Sequence, residues 1–224
     1  MIVEKMLTVE LFCGTKSFSK VAKELGHETF TVDIDPKLEP DLVCNILDFK
    51  IEMLPEKFRL PNIVWASPPC TTFSVASIGK HWNKDGTPKT KEAELGLKIL
   101  LQTKGIIYAL QPRYWFIENP RGMMRKFMTS PRQTVSYCQY GDTRQKPTDI
   151  WTNSNWKGKM CKPKSKCHVS APRGSRTGTQ GLKNASDRGI IPPALFKEIF
   201  EAIKKENKEL ESSSQQINPF ILTV

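Results

Sequence analysis

The sequence predicts an α/β fold, an open and mostly parallel sheet with helices between its strands. Short apolar runs rich in β-branched residues alternate with longer stretches at helical spacing. This alternation is typical of parallel strands joined by helices. The 224 residues are enough for one domain with a sizeable core. A change of composition after Asn153 sets off a small basic segment.

The strands are predicted from their apolar runs and from the residues that stop them. Proline ends the fourth strand before Pro68 and the fifth at Pro120, because proline donates no main-chain N–H and fixes φ. The seven predicted strands cover residues 7–12, 29–35, 41–46, 62–67, 113–120, 133–140 and 148–153, the last two as an antiparallel hairpin.

Three helices are predicted between and after these strands. The first covers residues 17–26 and is closed by Gly26, a common helix end. The second covers residues 91–110, where leucine and isoleucine recur near helical spacing. The third covers residues 192–211 and has its prolines in the first turn, where a helix tolerates them.

Charge and composition favour a nucleic-acid-binding protein and argue against a membrane or secreted one. The net charge is +11 and the isoelectric point is near 9.4, which favours a polyanionic partner, with nucleic acid the first candidate. No run approaches the length of a membrane-spanning helix, and acidic residues near the N-terminus argue against a signal peptide. The six cysteines are scattered, which favours reduced thiols and a cytoplasmic location.

Four polar or small residues follow predicted strands at their carboxyl ends. Gly14 follows the first strand, Asp33 ends the second, Cys70 follows the fourth and Glu118 lies in the fifth. In open α/β sheets the ligands bind at this edge. Cys70 stands directly after two prolines in "ASPPCTTFS", which makes a rigidly held nucleophile a better interpretation than a buried structural cysteine.

These motifs resemble those of the cytosine carbon-5 DNA methyltransferases that depend on S-adenosylmethionine. The resemblance covers about residues 7 to 203, in the order of the family's motifs. It rests on "ELFCGTKSFS", "VDIDP", "CNILDF", "SPPCTTFS", "FIENPRG", "YGDTRQKPT" and "GIIPPALFKEI". It implies a Rossmann-like sheet and a final helix that folds back beside the first motif.

The resemblance implies methyl transfer to carbon-5 of a flipped cytosine. Cys70 would add to carbon-6 of the base, which makes carbon-5 nucleophilic. Glu118 would hold a proton toward ring nitrogen-3. Asn119 would tie the two catalytic loops together. Arg144 and Lys146 are the cations available to touch the base carbonyl or its phosphate, because the family's arginine strand is degraded here.

The same resemblance implies a site for S-adenosylmethionine. Phe12 and Ile34 would pack against adenine, although ordinary core packing is the alternative. Lys16 replaces a family glycine, so we expect it either to pair with a carboxylate of the cofactor, including that of a carboxylated variant, or to point into solvent. The implied cofactor residues are Phe12, Gly14, Thr15, Lys16, Asp33, Ile34, Asn45, Ile46 and Pro68.

The expected domain organisation is a cofactor-binding catalytic domain at 1–153 and a basic target-recognition segment at 154–188. A returning helix at 189–211 and a tail at 212–224 follow. The segment carries nine Lys or Arg against one Asp and is too polar to build its own core. Its cations can neutralise DNA phosphates, but it has few side chains that can contact base edges. We therefore predict a short or relaxed target sequence. The expected DNA-binding residues are Lys80, Lys146, Lys157, Lys159, Lys162, Lys164, Lys166, Arg173 and Arg176.

A zinc site formed by Cys161, Cys167 and His168 is considered and not predicted. The spacing lacks a Cys-x2-Cys pair and a clear fourth ligand. We expect a monomer of the phage-borne type, in a bacterial or infected-host cytoplasm. Three alternatives remain: the same chemistry on RNA, transfer of a modified group from a carboxylated variant of S-adenosylmethionine, and a catalytically silent DNA-binding homologue.

Overall fold

The computed structural model describes residues 5–162, 165–169, 182 and 185–216. Its seven strands form one sheet in the order β3-β2-β1-β4-β5-β7-β6. The first five strands of that order are parallel, while β7 runs antiparallel to both β5 and β6. The strands are β1 (Leu7–Leu11), β2 (Glu28–Asp33), β3 (Leu42–Val43), β4 (Ile63–Ala66), β5 (Tyr114–Pro120), β6 (Arg132–Ser136) and β7 (Pro147–Thr152).

Five α-helices lie in the described part of the chain. They are α1 (Ser17–Glu24), α2 (Ile78–His81), α3 (Lys91–Leu110), α4 (Ala185–Gly189) and α5 (Pro193–Gln216). Thr90 is the N-cap of α3, the longest inter-strand helix, and its side chain accepts a 3.3 Å hydrogen bond from the N–H of Ala93. Such a cap satisfies one of the helix's free N–H groups.

The predicted fold class is confirmed, with small differences in element ends. The sheet is mostly parallel, and β6 pairs with β7 in an antiparallel manner. Ten residues that include a 3₁₀ turn, and not a tight hairpin loop, join these two strands. The last helix continues to Gln216, past the predicted end at residue 211, because only polar residues without proline or glycine follow there. Polar residues of this kind extend a helix as readily as they form a tail.

The sheet is buried on both faces, as expected for parallel strands between helices. Alternate residues of β4 enter different cores: Val64 joins the core beneath α3, and Trp65 joins the core beneath α1 and α5. Trp65 stacks on Phe18 and meets the edge of Phe196, with ring centroids 5.6 and 4.8 Å apart. This aromatic packing holds the last helix beside the first one.

Within the described residues, no helix is long and apolar enough to cross a membrane. The cytoplasmic location stays a prediction.

Candidate active site

The loop after β4 carries Cys70 on a short, internally bonded turn. Pro68 is buried, and the chain emerges at Pro69 and Cys70. The main-chain oxygen of Cys70 accepts from the N–H groups of Phe73 and Ser74 at 3.1 and 3.0 Å. Phe73 is buried and its ring packs against Trp82, with centroids 5.5 Å apart. The turn is therefore anchored in the core on one side and presents Cys70 on the other.

The end of β5 is locked onto this loop. The side-chain amide of Asn119 donates a 2.8 Å hydrogen bond to the main-chain oxygen of Pro68. The N–H of Met123 donates to the main-chain oxygen of Phe73 at 2.7 Å. Gly122 lies so close to the loop that carries Cys70 that an added Cβ would lie 2.0 Å from the main-chain oxygen of Phe73. The two loops that carry Cys70 and Glu118 thus form one unit.

Three titratable side chains share an electrostatic environment at this edge. Desolvation by the surrounding protein raises the pKa of the Cys70 thiol even though the residue as a whole is exposed, and the charge of Glu118 raises it further. The charges of Lys146 and Arg188 act in the opposite direction. Burial raises the pKa of Glu118 and lowers that of Lys146. Each shift favours the neutral form of the group.

Tyr137 is a member of this site that the sequence reasoning missed. Its hydroxyl donates to Oε1 of Glu118 at 3.3 Å, and the ammonium of Lys146 lies 4.8 Å from the centre of its ring. Burial raises the pKa of Tyr137 well above its usual value, so the phenol stays a donor. No motif in "SYCQY" signals this contact, which arises because β7 places the turn after β6 next to β5.

Arg144 lies near the site, and its guanidinium group is hydrogen-bonded to Asp142 and to main-chain oxygens at residues 187–190. Its Nε and Nη2 donate to the carboxylate of Asp142, and the remaining N–H groups donate to main-chain oxygens of Asp187, Arg188 and Ile190 at 2.8–3.2 Å. All five donors thus have acceptors within the described residues, and a contact between Arg144 and the base stays a prediction. Lys146 is a cation whose charge acts on both Cys70 and Glu118.

A small pocket of about 80 Å³ opens at the same edge of the sheet. Five of the residues predicted for the cofactor line it, and Pro69 lines it in place of the predicted Pro68. The lining residues are Phe12, Val32, Asp33, Ile34, Cys44, Asn45, Ile46, Pro69 and Ile99.

The turn after β1 borders this pocket. Gly14 has a φ of +47° and its N–H donates to Oδ2 of Asp33 at 2.9 Å, so β2 fixes the turn. Thr15 shares a 2.9 Å hydrogen bond with Ser17, whose hydroxyl also accepts from the N–H of Ile191. Lys16 has a φ of +57°, a conformation that favours glycine, and its ammonium donates to the main-chain oxygen of Glu39.

The pocket suits an adenosine-containing cofactor. Phe12, Ile34 and Ile46 supply apolar surface for a purine ring, and 64% of Ile34 is exposed even though the side chain is apolar. Asp33 uses one lone pair on each oxygen within the protein, toward Gly14 and Asp35, which leaves capacity for ribose hydroxyls. Exposed apolar surface lining a pocket is typical of a binding site.

The expected DNA-binding lysines differ in their surroundings. Lys80 lies exposed in α2, and Lys157, Lys162 and Lys166 are exposed on the basic segment. Lys159 is paired with Glu198 of α5. The ammonium of Lys146 donates to the main-chain oxygen of Arg188 at 2.7 Å, inside the candidate active site. The remaining three, Lys164, Arg173 and Arg176, lie outside the described residues.

Comparison with known proteins assigns the family. No protein-family model matches the chain. A protein of Frog virus 3 (isolate Goorha), named "Probable DNA (cytosine-5)-methyltransferase", is 31% identical over 219 residues, which cover 88% of this chain and 99% of the viral protein. The chain therefore belongs to the DNA (cytosine-5)-methyltransferase family, a family of enzymes.

Two solved structures are more distantly similar. The methyltransferase EhMeth of Entamoeba histolytica is 15% identical with a TM-score of 0.47, covering 67% of this chain and 53% of EhMeth. A DNMT2 mutant of Spodoptera frugiperda is 18% identical with a TM-score of 0.44, covering 72% of this chain and 56% of that protein. This chain thus spans little more than half the length of either, and the family assignment rests on the viral relative.

Proposed function

We propose that the chain methylates cytosine carbon-5 in DNA through a transient bond between Sγ of Cys70 and carbon-6 of the base. The observation that carries this proposal is the joining of the Cys70 loop to the Glu118 strand by the bond from Asn119 to Pro68. The charge of Glu118 acts on the Cys70 thiol, which supports a joint role for these two groups. The name of the viral relative supports DNA as the substrate.

Cys70 is the nucleophile in this proposal. The Sγ–H proton leaves to solvent, the thiolate forms a bond to carbon-6, and the electron pair of the carbon-5–carbon-6 double bond moves to carbon-5. Burial and Glu118 raise the pKa of Cys70, and the charge of Lys146 offsets part of that increase, which favours the thiolate. After methyl transfer, loss of the carbon-5 proton to solvent expels the thiolate and restores the ring.

Glu118 is the acid that stabilises the attacked base. Because burial raises its pKa, its protonated form is favoured and can donate to ring nitrogen-3 as electron density builds up there. The hydroxyl of Tyr137 donates to the other side of this carboxyl group and fixes its orientation. Tyr137 is therefore a positioning residue, which acts through Glu118.

S-adenosylmethionine, when bound, supplies an electrophilic methyl group on a sulfonium. Phe12 and Ile34 would hold its adenine, Asp33 its ribose hydroxyls, and the turn containing Gly14 would let the main chain approach its methionine portion. The side-chain oxygen of Asn45 accepts from the N–H of Leu47 at 3.1 Å and has a second lone pair for the adenine amine.

The target base must leave the duplex to reach Cys70, at an expense of a few kcal/mol. The exposed lysines Lys157, Lys162 and Lys166 follow β7 and supply phosphate contacts that stabilise the complex. With so few side chains available for base edges, the proposed recognition sequence is short.

Trapping on a duplex in which every cytosine is 5-fluorocytosine tests this proposal without knowledge of the target sequence. Fluorine at carbon-5 prevents the last proton loss, so the adduct persists. With S-adenosylmethionine present, we expect mass spectrometry to find the methylated base attached to the Cys70 peptide. Cys70→Ser should abolish the adduct. Cys13→Ala is the matched control, because Cys13 is buried and its pKa is raised to about 12.

The alternatives give different results in the same assay. A catalytically silent homologue would bind the duplex without forming an adduct, and an RNA enzyme would form it only on 5-fluorocytosine RNA. Either result, or an adduct that survives Cys70→Ser, would overturn the proposal.

A further inference from the structure

Three cysteines and one histidine converge outside the candidate active site. Cys138 lies in the 3₁₀ turn that follows β6, Cys161 is buried in the basic segment, and Cys167 and His168 lie in a bend further along it. Their sulfur and nitrogen atoms all lie within 4.8 Å of one another. Side chains from three separate stretches of chain thus point at one small volume.

The separations fit a single tetrahedral metal ion. Sγ of Cys167 lies 3.4 Å from Sγ of Cys161 and 3.5 Å from Sγ of Cys138. Nδ1 of His168 lies 3.7 Å from the sulfurs of both Cys161 and Cys167. With zinc–sulfur bonds near 2.3 Å and zinc–nitrogen bonds near 2.0 Å, tetrahedral geometry puts ligand atoms about 3.5–3.8 Å apart. These four separations match the tetrahedral values to within a few tenths of an ångström, and the other two, both from Cys138, are no longer than 4.8 Å.

Polar groups around the cluster suit thiolate ligands. The hydroxyl of Ser165 donates to Sγ of Cys167 at 3.0 Å, and the amide of Gln139 donates to the same sulfur at 3.4 Å. Donors of this kind orient and stabilise sulfur ligands of a metal. A zinc ion with three thiolates and a neutral histidine keeps one unit of negative charge, which the exposed Lys162 and Lys166 in the same stretch offset.

The basic segment buries few apolar side chains, so a metal ion would add to its stability. In its described part only Trp156 and Cys161 are buried apolar side chains, too few to fold it by apolar burial. Near the cluster the segment is otherwise attached by a few hydrogen bonds. The N–H of Val169 donates to the main-chain oxygen of Thr143 at 2.8 Å, and the N–H of Ser136 donates to the main-chain oxygen of Lys159 at 3.0 Å. A metal ion supplies folding free energy to small segments of this kind.

We propose that Cys138, Cys161, Cys167 and His168 bind one structural zinc ion that fixes the basic segment to the catalytic domain. Three thiolates and an imidazole are the ligands that zinc prefers, and four protein ligands leave no open position for catalysis. This replaces the sequence-based expectation of no metal site. The fourth ligand, Cys138, lies far upstream in the sequence, and the bend at residues 165–168 turns Cys167 and His168 to the same side.

Metal analysis of the full chain, purified with reductant and without chelator, tests the site. We expect about one zinc ion per chain. Cys161→Ser, Cys167→Ser and His168→Ala should lose most of it, whereas His168→Cys should retain it because a fourth thiolate is an equally good zinc ligand. Cys44→Ser is the control for zinc content, since Cys44 lies outside the cluster.

A second measurement, of cobalt binding and thiol alkylation, uses the unmutated chain. Its result does not depend on whether the variants fold. Cobalt(II) added to the metal-free chain should produce the visible bands of a tetrahedral ion and the near-ultraviolet bands of thiolate ligation. A chelator should expose about three further thiols to alkylation.

Three results would overturn the proposal: a reduced chain that binds neither ion, zinc retained in the ligand variants, or cluster cysteines found as disulfides. None of these readouts depends on methyl transfer. The zinc site is therefore tested independently of the proposed function.

Discussion

The side-chain amide of Asn119 donates a 2.8 Å hydrogen bond to the main-chain oxygen of Pro68, and both residues are buried. β4 and β5 are adjacent parallel strands, so this bond crosses between their carboxyl ends. The position of Cys70, two residues after Pro68, is therefore set in part by a side chain of β5. Rigid placement of a nucleophile contributes to its rate, because small displacements weaken attack strongly.

Asn119→Ala should slow adduct formation on 5-fluorocytosine DNA by about 10- to 100-fold while the affinity for S-adenosylmethionine changes little. The variant leaves the buried oxygen of Pro68 without its donor, which is expected to reduce stability by about 1–3 kcal/mol. Asn153→Ala is the matched control, because Asn153 makes a similar 2.9 Å bond to Arg113 at the opposite end of β5. Equal adduct rates in the two variants would contradict the prediction.

Gly122→Ala should destabilise the chain by at least about 1–3 kcal/mol, since the added Cβ would lie 2.0 Å from the main-chain oxygen of Phe73 and must push the loops apart. Gly105→Ala, in the exposed face of α3, has no atom within 4 Å of its new Cβ and should stabilise the chain by about 0.5–1 kcal/mol. Urea denaturation of both variants measures the difference, and a Gly122→Ala chain as stable as the parent would refute the contact.

Lys146→Met should raise the pKa of the Cys70 thiol, because the ammonium of Lys146 favours the thiolate. Iodoacetamide labelling of the Cys70 peptide, followed by mass spectrometry across a pH series, measures this without turnover. We expect the labelling curve to move to higher pH. Lys157→Met removes an equal charge from the exposed surface and should leave the curve in place. Identical curves for both variants would show that Lys146 does not act on the thiol.

The sheet was predictable because the signals for its strands are local. Apolar runs such as residues 62–67 end at prolines, and neither feature depends on distant residues. Because ligands of open α/β sheets bind at the carboxyl ends of the strands, the strand positions alone were enough to predict that Gly14, Asp33, Cys70 and Glu118 share one edge.

What the sequence could not supply was contact between distant segments. Tyr137 lies in the turn after β6, and its hydroxyl reaches Glu118 of β5 although β7 lies between these two strands. Arg144 resembled a catalytic arginine by position, yet the carboxylate of Asp142 and the end of α4 take up its donors. Such partners follow from tertiary packing, which local patterns do not encode.

Glu10 gives a last test, on stability and pH. It is buried in β1 and accepts from the N–H groups of Phe18 and Ser19 at the start of α1, at 3.3 and 3.0 Å. Burial raises its pKa from 4.5 to about 7. Between these values the folded chain keeps a proton that the unfolded chain has lost, so stability falls as the pH rises, by roughly 3 kcal/mol across the window.

Glu10→Gln removes the titration and should flatten the decline in unfolding free energy between pH 4.5 and 7, measured by urea denaturation at each pH. Glu28→Gln is the control: hydrogen bonds from Lys5 and Lys57 lower the pKa of Glu28 to about 2, so Glu28 stays ionised across the window in the folded chain and is ionised over most of it in the unfolded chain. Its substitution should leave the slope unchanged. A decline that persists in Glu10→Gln would place the responsible proton on another buried group.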